Sequence, residues 1–367
     1  MIERLKKELR ELTELTGISS REDEVVRYMY DKFRETTGDV SVDMLGNVTA
    51  VFKSGKPDAQ RILLFAHMDE VGLMVKKVES NGFLRLERLT AVNSHIIEGT
   101  VFHVRTHGGK AVKGIVGAKS HHFMSAADKS RVPELSELFL DIGCTSKEQV
   151  NALDITEGCV VSFAHSFTEL ANDIISTKSL DDRAGLLVLL ELARYLKGKS
   201  ISADYYLVAS VQEEFNIRGI MPAARAVDAD IAIGLDITPA GDTPDIGGAT
   251  DVRLGSGPAF TYLNYHGRGT LNGIVPNEAL VHFLERTCEK NGIPYQREVC
   301  RGLLTETAYV AISGTKGVAT ASISIPTRYA HTPVETASLK DMQSTIKLLT
   351  CFADAWDPSY TLKKIVL

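Results

Sequence analysis

Histidines and carboxylates follow several apolar segments of this 367-residue chain. The first pair, His67 and Asp69 in FAHMDEVG, comes directly after the apolar run Ile62 to Ala66. Imidazole nitrogens together with carboxylate oxygens form a donor set that suits Zn²⁺, Co²⁺ or Mn²⁺. Alone, however, a His-x-Asp triplet is more often the end of a strand and the start of a turn. Its chemistry therefore depends on partners elsewhere in the chain.

Four further polar clusters supply such partners. They lie in SLDDRAG, VQEEFNIRG, GLDIT and RYAHTPVE, and they contribute Asp181, Asp182, Glu213, Glu214, Asp236 and His331. Each cluster also has an ordinary explanation, because acidic residues are favoured where helices begin and single aspartates are common in turns. Groups at the carboxyl ends of parallel strands, however, meet at one edge of a sheet. The sequence therefore predicts a metal site at that edge.

The residue types in these clusters favour one reaction. A carboxylate can bridge two metal ions about 3.5 to 4 Å apart, and such a pair activates water and stabilises the oxyanion formed on a carbonyl. The adjacent Glu213 and Glu214 could divide two tasks, one as a metal ligand and the other as the general base. Together these parts predict hydrolysis of an amide bond.

The elements around the clusters alternate between helices and strands. Helical periodicity fills residues 1–36, and further long helices are predicted at 182–196, 278–290 and 338–356. Apolar strands are predicted at residues 48–53 and 62–66 and in YYLVASV, DIAIGLD and VATASISI. This alternation predicts an α/β fold with a mostly parallel central sheet flanked by helices.

Residues 71–164 have a different texture. Short β-rich runs such as GFLRLERL, GTVFHVRTH and KAVKGIVGAK are separated by Gly and Asn, with little helical periodicity. The sequence therefore predicts a small all-β, barrel-like insertion at 71–164. The catalytic α/β domain would consist of residues 1–70 and 165–367.

Composition and charge argue against several other classes of protein. A net charge of −6 without a basic run disfavours nucleic acid or an anionic membrane surface as the main partner. The amino-terminal MIERLKKELRELTEL is amphipathic, and the leucine-rich GLLVLLELA is too short to span a bilayer. Five scattered cysteines without a Cys-x-x-Cys pair predict neither a disulfide framework nor a thiolate zinc site. We expect a cytoplasmic protein.

In this order, AHMDEVG, LDDRAG, VQEEFNIRG, GLDITPAGDTP and ISIPTRYAHTPVE resemble the tetrahedral, self-compartmentalising metalloaminopeptidases. This is the family of glutamyl and deblocking aminopeptidases and Frv-operon proteins, and the likeness runs through essentially the whole chain. It implies a zinc-peptidase-like fold and two divalent metal ions, Zn, Co or Mn, per subunit. It also implies short peptide substrates and a homo-oligomer, a tetrahedral dodecamer, that assembles through the β insertion.

The resemblance implies a role for each candidate residue. One metal ion would be held by His67, Asp181 and Asp236, and the other by Asp181, Glu214 and His331. Asp181 would thus bridge the two ions. Glu213 would be the general base, and Asp69 would orient the imidazole of His67. A cis peptide bond between Asp181 and Asp182 is implied as well.

Three segments depart from the usual pattern of this family. Leu303-Leu304-Thr305-Glu306-Thr307-Ala308 replaces the common Gly-Gly-Thr-Asp-Ala, Phe215-Asn216-Ile217 replaces Val-Gly-Leu, and Ser120-His121-His122 replaces Pro-Pro-His. Asn is among the non-glycine residues that best tolerate a left-handed backbone. The departures predict an intact metal centre beside an altered substrate pocket.

Two alternatives to an aminopeptidase stay open at this point. A related di-metal dipeptidase or deacylase would need a group that binds a substrate carboxylate, whereas an aminopeptidase must bind a free ammonium. A catalytically silent metal-binding or assembly protein is the other alternative, because the pocket is altered.

Overall fold

A computed structural model describes residues 1–126, 128–266 and 273–363. Its helices are α1 (Ile2–Glu14), α2 (Asp23–Arg34), α3 (Lys147–Ala152), α4 (Leu180–Leu196), α5 (Ile220–Val227), α6 (Glu278–Asn291), α7 (Thr307–Val310) and α8 (Leu339–Ala355). The strands of the larger sheet are β1 (Val40–Val42), β2 (Val48–Phe52), β3 (Arg61–His67), β9 (Phe167–Glu169), β10 (Ile174–Thr177), β11 (Asp204–Ser210), β12 (Ile231–Pro239), β13 (Ala259–Tyr265), β14 (Gly273–Ile274), β15 (Gln296–Arg301), β16 (Ala319–Arg328) and β17 (Glu335–Ser338). The strands of the smaller sheet are β4 (Leu73–Val78), β5 (Leu84–Arg88), β6 (Thr100–Arg105), β7 (Ala111–Val116) and β8 (Val160–Phe163).

Four parallel strands form the centre of the larger sheet, in the order β11, β3, β12 and β16. Antiparallel strands extend it on both sides, with β2 and β1 beyond β11, and β17, β10 and β9 beyond β16. The sheet is therefore mixed, with a parallel core. This arrangement confirms the predicted α/β class.

Both faces of the central strands are covered by helices. Along β3, Ile62, Leu64 and Ala66 pack into the core that α1, α4, α6 and α8 share. The intervening Leu63 and Phe65 pack instead against α5 and the end of α7. Burial on both faces explains why this strand is a continuous apolar run in the sequence.

The carboxyl ends of the parallel strands bring the polar clusters together. β3 ends at His67, which pairs in register with Ser210 at the end of β11. Asp236 lies in the second half of β12, and His331 follows the end of β16. Chemistry at this edge is the usual arrangement in open α/β sheets.

The smaller sheet is antiparallel, in the order β5, β4, β8, β6 and β7. Its two outer strands are joined, because Leu140 pairs with Leu84 of β5 and the adjacent Asp141 pairs with Ile115 of β7. The sheet thus curls around an apolar core of its own. Such a curled antiparallel sheet fits an insertion; the boundaries at 71 and 164 stay a prediction.

Several strands of the larger sheet were not predicted from the sequence. The pair β13 and β15 is the largest omission, and three of the six residues of β15 are charged, with Val299 and Cys300 side by side among them. A short, charged strand beside a single neighbour carries little apolar periodicity, so that its pattern resembles a loop. Among the helices that the structure describes, none is long and apolar enough to cross a membrane.

Gly234 supports a testable prediction about the sheet centre. It lies on β12, between β3 and β16, and a Cβ built there would be 1.9 Å from Thr307 Oγ1 and 2.9 Å from Phe65 Cζ. Because the packed core must shift to admit a methyl group, we expect Gly234→Ala to lower the free energy of unfolding by about 1 to 3 kcal/mol. Urea denaturation followed by circular dichroism measures this.

Gly38→Ala is the matched control, because a Cβ at Gly38 meets nothing within 4 Å. Both variants restrict the unfolded chain in the same way, so their difference reports on the folded state. If the two variants are equally stable, the side chains of Thr307 and Phe65 do not restrict the space at Gly234 and the prediction is wrong.

Candidate metal centre

A cavity of about 620 Å³ lies at the carboxyl ends of the central strands. The predicted residues that line it are Asp181, Glu213, Glu214, Asp236 and His331. His67 is 2% exposed and contacts the cavity wall through Asp181. Residues from five separate segments of the sequence therefore share one site, as the sequence predicts.

Asp181 occupies the middle of this site. Its Oδ1 lies 3.0 Å from Nε2 of His67, and its Oδ2 lies 3.2 Å from Nε2 of His331. The same nitrogen of His331 is 3.2 Å from Oε1 of Glu214. Donor atoms of His67, Asp181 and Glu214 all lie within 4.8 Å of one another. Each oxygen of Asp181 thus serves a different imidazole, which is the disposition of a bridging carboxylate.

The buried acids of the cavity outnumber the bases that neutralise them. Burial raises the pKa of Asp182 to about 8, and burial together with the charge of Asp181 raises the pKa of Asp236 well above its ordinary value. Burial lowers the pKa of His331, but the carboxylates of Glu214 and Asp181 outweigh it and raise that pKa to about 12. Buried carboxylates at this density require cations.

The donor set decides which cations fit. Imidazole nitrogens beside several carboxylate oxygens suit Zn²⁺, Co²⁺ and Mn²⁺, whereas Mg²⁺ and Ca²⁺ favour oxygen shells. The described residues of the cavity therefore fit divalent transition-metal ions.

Asp69 holds the segment that carries the two glutamates. Its Oδ1 accepts a hydrogen bond from the backbone N–H of Glu213 at 2.9 Å, and its Oδ2 accepts one from the N–H of Glu214 at 3.0 Å. The hydroxyl of Ser19 donates to the same carboxylate. Nδ1 of His67 is 3.5 Å from this carboxylate and 3.0 Å from the backbone oxygen of Asp69. Asp69 therefore contacts His67, as the resemblance implies, and also fixes both glutamates.

Glu213 is buried beside these groups. Burial, with the charges of Asp236 and Glu214, raises the pKa of Glu213 well above its ordinary value, against the opposing charge of His67. A carboxylate with a raised pKa holds a proton more readily, as a general base requires.

Glu335 is a residue of the site that the sequence analysis missed. Its Oε2 accepts a hydrogen bond from the backbone N–H of Asp181 at 3.0 Å, and its Oε1 accepts one from the N–H of His331 at 2.7 Å. Burial and the charge of Asp181 raise its pKa to about 8. The one signal in the sequence was its position four residues after His331 in RYAHTPVE.

Unusual backbone conformations surround the cavity. The peptide bond between Asp181 and Asp182 is cis. Non-glycine residues with positive φ in the segments that carry the site are Ser179, Gln212, Asn216, Ile217, Tyr329 and His331. Left-handed backbone costs an L-residue about 1 to 2 kcal/mol, and such residues cluster where structure positions functional groups. The hydrogen bond from His331 to Glu335 is one contact that maintains such a conformation.

A buried ion pair joins the two segments that carry His67 and Asp181. Glu70, at the end of the β3 turn, lies 2.6 Å from Nζ of Lys178, just before α4. The same carboxylate accepts hydrogen bonds from the hydroxyl of Ser179 and the backbone N–H of Gly17. Because both charges are buried, breaking the pair would leave an uncompensated charge.

Comparisons with known proteins agree with this arrangement. The model of the M42 glutamyl aminopeptidase family matches residues 46–348. The protein SgcX of Escherichia coli strain K12, which is named as an aminopeptidase, is 44% identical over 93% of this chain and 91% of its own length.

Solved structures agree as well. Aminopeptidase APDkam598 from the archaeon Desulfurococcus kamchatkensis is 32% identical, with a TM-score of 0.92 over 100% of this chain and 99% of that one. The TET1 peptidase of Pyrococcus horikoshii, which can assemble into a tetrahedron or a large octahedral shell, is 27% identical, with a TM-score of 0.84 over 95% and 99%.

The contacts of Glu335 generate a prediction about metal affinity. In Glu335→Gln one of the two carboxylate oxygens becomes an NH₂ group. The backbone N–H of either Asp181 or His331 then loses its hydrogen-bond acceptor. We expect affinity for Co²⁺ to fall about 10- to 100-fold, as for other groups that hold metal ligands in place. Calorimetric titration of metal-free protein measures it.

Glu148→Gln is the matched control, because Glu148 is exposed on α3, in the helix that precedes β8. Unchanged Co²⁺ affinity in Glu335→Gln, or an equal loss in both variants, would show that Glu335 does not position the ligands.

Proposed function

The chain belongs to the M42 glutamyl aminopeptidase family and is an aminopeptidase, a hydrolase of peptide bonds, and we propose that it shortens peptides with two divalent metal ions. The proposed ligands are His67, Asp181 and Asp236 for one ion and Asp181, Glu214 and His331 for the other. The single observation that carries this assignment is the position of Asp181, whose two oxygens face two different imidazoles.

Metal dependence is implied by the family, and the number and identity of the ions belong to the proposal. When bound, divalent metal ions lower the pKa of water and polarise a carbonyl. Zn²⁺, Co²⁺ and Mn²⁺ are the proposed ions because the donor set suits them.

The residues of the chain divide the remaining work. Glu213 accepts the proton of the attacking water and gives it to the nitrogen of the leaving amine. Asp69 accepts a hydrogen bond from the backbone N–H of Glu213 and another from that of Glu214. Both glutamate side chains line the cavity, where each has its own role. Glu335 holds Asp181 and His331 in place.

The charge of the cavity favours removal of an amino-terminal residue over the rival activities. Four of its lining residues are acids, namely Asp181, Glu213, Glu214 and Asp236. Among the lining residues that the structure describes, there is no Lys or Arg to bind a substrate carboxylate. A free ammonium therefore fits this cavity better than the carboxylate that a dipeptidase would have to bind.

An assay of amino-acid anilides, with and without Co²⁺, Zn²⁺ or Mn²⁺, tests the proposed activity. We expect release of the amino-terminal residue only when one of these metals is present. A chain that binds metal and hydrolyses no anilide would be a silent assembly protein, and one that requires a free substrate carboxylate would be a dipeptidase.

The curled sheet of residues 71–164 supports a proposal about assembly. We propose that the chain forms a homo-oligomer, a tetrahedral dodecamer, through this insertion, in a cytoplasmic setting. Val101 and Ile115 are register partners on β6 and β7, and they are 43% and 51% exposed. An exposed apolar pair on a sheet favours contact with another chain.

The two adjacent glutamates give a prediction about roles. Glu213→Gln should keep both metal ions but lower the rate about 10²- to 10⁴-fold, because the general base is lost. Glu214→Gln should instead weaken one metal ion, and activity should partly return at high metal concentration. Elemental analysis beside turnover measures both variants. If Glu213→Gln loses metal while Glu214→Gln keeps two ions and is merely slow, the roles are reversed.

The exposed pair of the insertion gives a prediction about size. Val101→Lys combined with Ile115→Lys places two charges on the proposed contact face, so that we expect a smaller particle than the intact protein by light scattering. Val42→Lys, at an exposed apolar position of β1, is the control. A monomeric intact protein, or an unchanged assembly in the double variant, would refute this contact.

A further inference from the structure

The cavity of the metal centre is lined by apolar residues as well as by acids, and we call the apolar residues its wall. Residues that form this wall are Ile237, Pro239, Leu303, Leu304 and Tyr309. Ile237 and Pro239 follow Asp236 on β12. Leu303 and Leu304 come from the segment between β15 and α7, and both are half-buried, which leaves part of each side chain open.

The apolar wall belongs to the cavity that would receive the first side chain of a substrate. In a peptide the carbonyl that is cleaved is bonded directly to the α-carbon of the amino-terminal residue. When that carbonyl stands at Asp181 and Glu214, the α-carbon is one bond away and its side chain occupies the same cavity. The wall is therefore part of the cavity that the amino-terminal side chain would enter.

Charged side chains have no partner on this wall. None of the five wall residues is an acid, so the wall itself offers no carboxylate to a lysine ammonium. Beyond His331, His266 is the basic side chain among the described lining residues, and no Lys or Arg is found among them. Against the leucines a lysine side chain would lose its water without gaining an ion pair. A glutamate side chain could reach the imidazole of His266, whose Nδ1 has no hydrogen-bond partner, but not the permanent charge of a Lys or Arg.

We propose that this wall selects an uncharged aliphatic amino-terminal residue, such as leucine or methionine, over glutamate and lysine; the inference rests on the proposed function. Leu303 and Leu304 are the specificity-determining residues, since both line the cavity and add the apolar contact area of two leucine side chains to its wall. One methylene in such a pocket changes selectivity about 10- to 200-fold.

Binding and turnover together test this selection on the intact, Co²⁺-loaded protein. The probes are the α-hydroxamates of leucine, glutamate and lysine, whose affinities are measured by calorimetry, and the matching anilides, whose kcat/KM values are measured by absorbance. We expect leucine to exceed glutamate and lysine by at least about ten-fold in both measurements. In Leu303→Ala combined with Leu304→Ala, the preference for leucine over alanine should fall by about ten-fold.

Leu153→Ala is the matched control, because Leu153 is an exposed leucine at the end of α3. Equal or tighter binding of the glutamate or lysine hydroxamate would overturn the inference, as would an unchanged preference in the double variant. If no anilide is hydrolysed while leucine hydroxamate still binds most tightly, the proposed function is wrong but the selectivity of the wall is confirmed.

Discussion

The surrounding structure depends on one constraint, which is the negative charge buried at the carboxyl ends of four parallel strands. This charge needs hydrogen-bond donors or cations beside it. Three carboxylates are neutralised or bonded by the protein itself. Asp69 accepts backbone N–H groups from the Glu213 and Glu214 segment, Glu335 accepts those of Asp181 and His331, and Glu70 pairs with Lys178. A buried carboxylate with such donors is stable because its lone pairs are satisfied. These three acids are the frame, and they hold in place the acids that face the cavity.

The acids that face the cavity differ from the frame in their partners rather than in the direction of their pKa shift, because the pKa of Glu335 is raised as well. Glu213 and Asp236 are buried close enough to each other, and to further acids, that their pKa values rise well above the ordinary range. The backbone N–H of Ile237 donates to Oδ1 of Asp236 at 2.7 Å, but this donor does not offset the repulsion, and divalent cations would. Asp69 and Glu335, which each accept two backbone N–H groups, hold the backbone of the site in place. The acids that face the cavity have fewer protein donors and remain available to metal ions.

The segment 303–308 lies between the cavity and the central strands. Leu303 and Leu304 line the cavity, while Glu306 turns inward and accepts a hydrogen bond from the hydroxyl of Ser210 at 2.7 Å. Thr307 fills the space that the absence of a side chain at Gly234 leaves open on β12. Glu306 and Thr307 thus pack against the central strands, whereas Leu303 and Leu304 line the cavity.

The sequence by itself determined the α/β class and singled out the proposed ligands, because each of them follows an apolar strand or lies where a helix begins, and parallel strands must bring such ends together. His67, Asp181 and His331 could be selected in this way from short motifs. The sequence could not determine β15, whose charged pattern resembles a loop, or the role of Glu335, whose bonds to Asp181 span more than a hundred residues. Contacts of that kind depend on the distance between segments after folding. Only the tertiary structure decided which acids bind protein donors and which face the cavity, because burial and neighbouring charge, rather than residue type, set that difference.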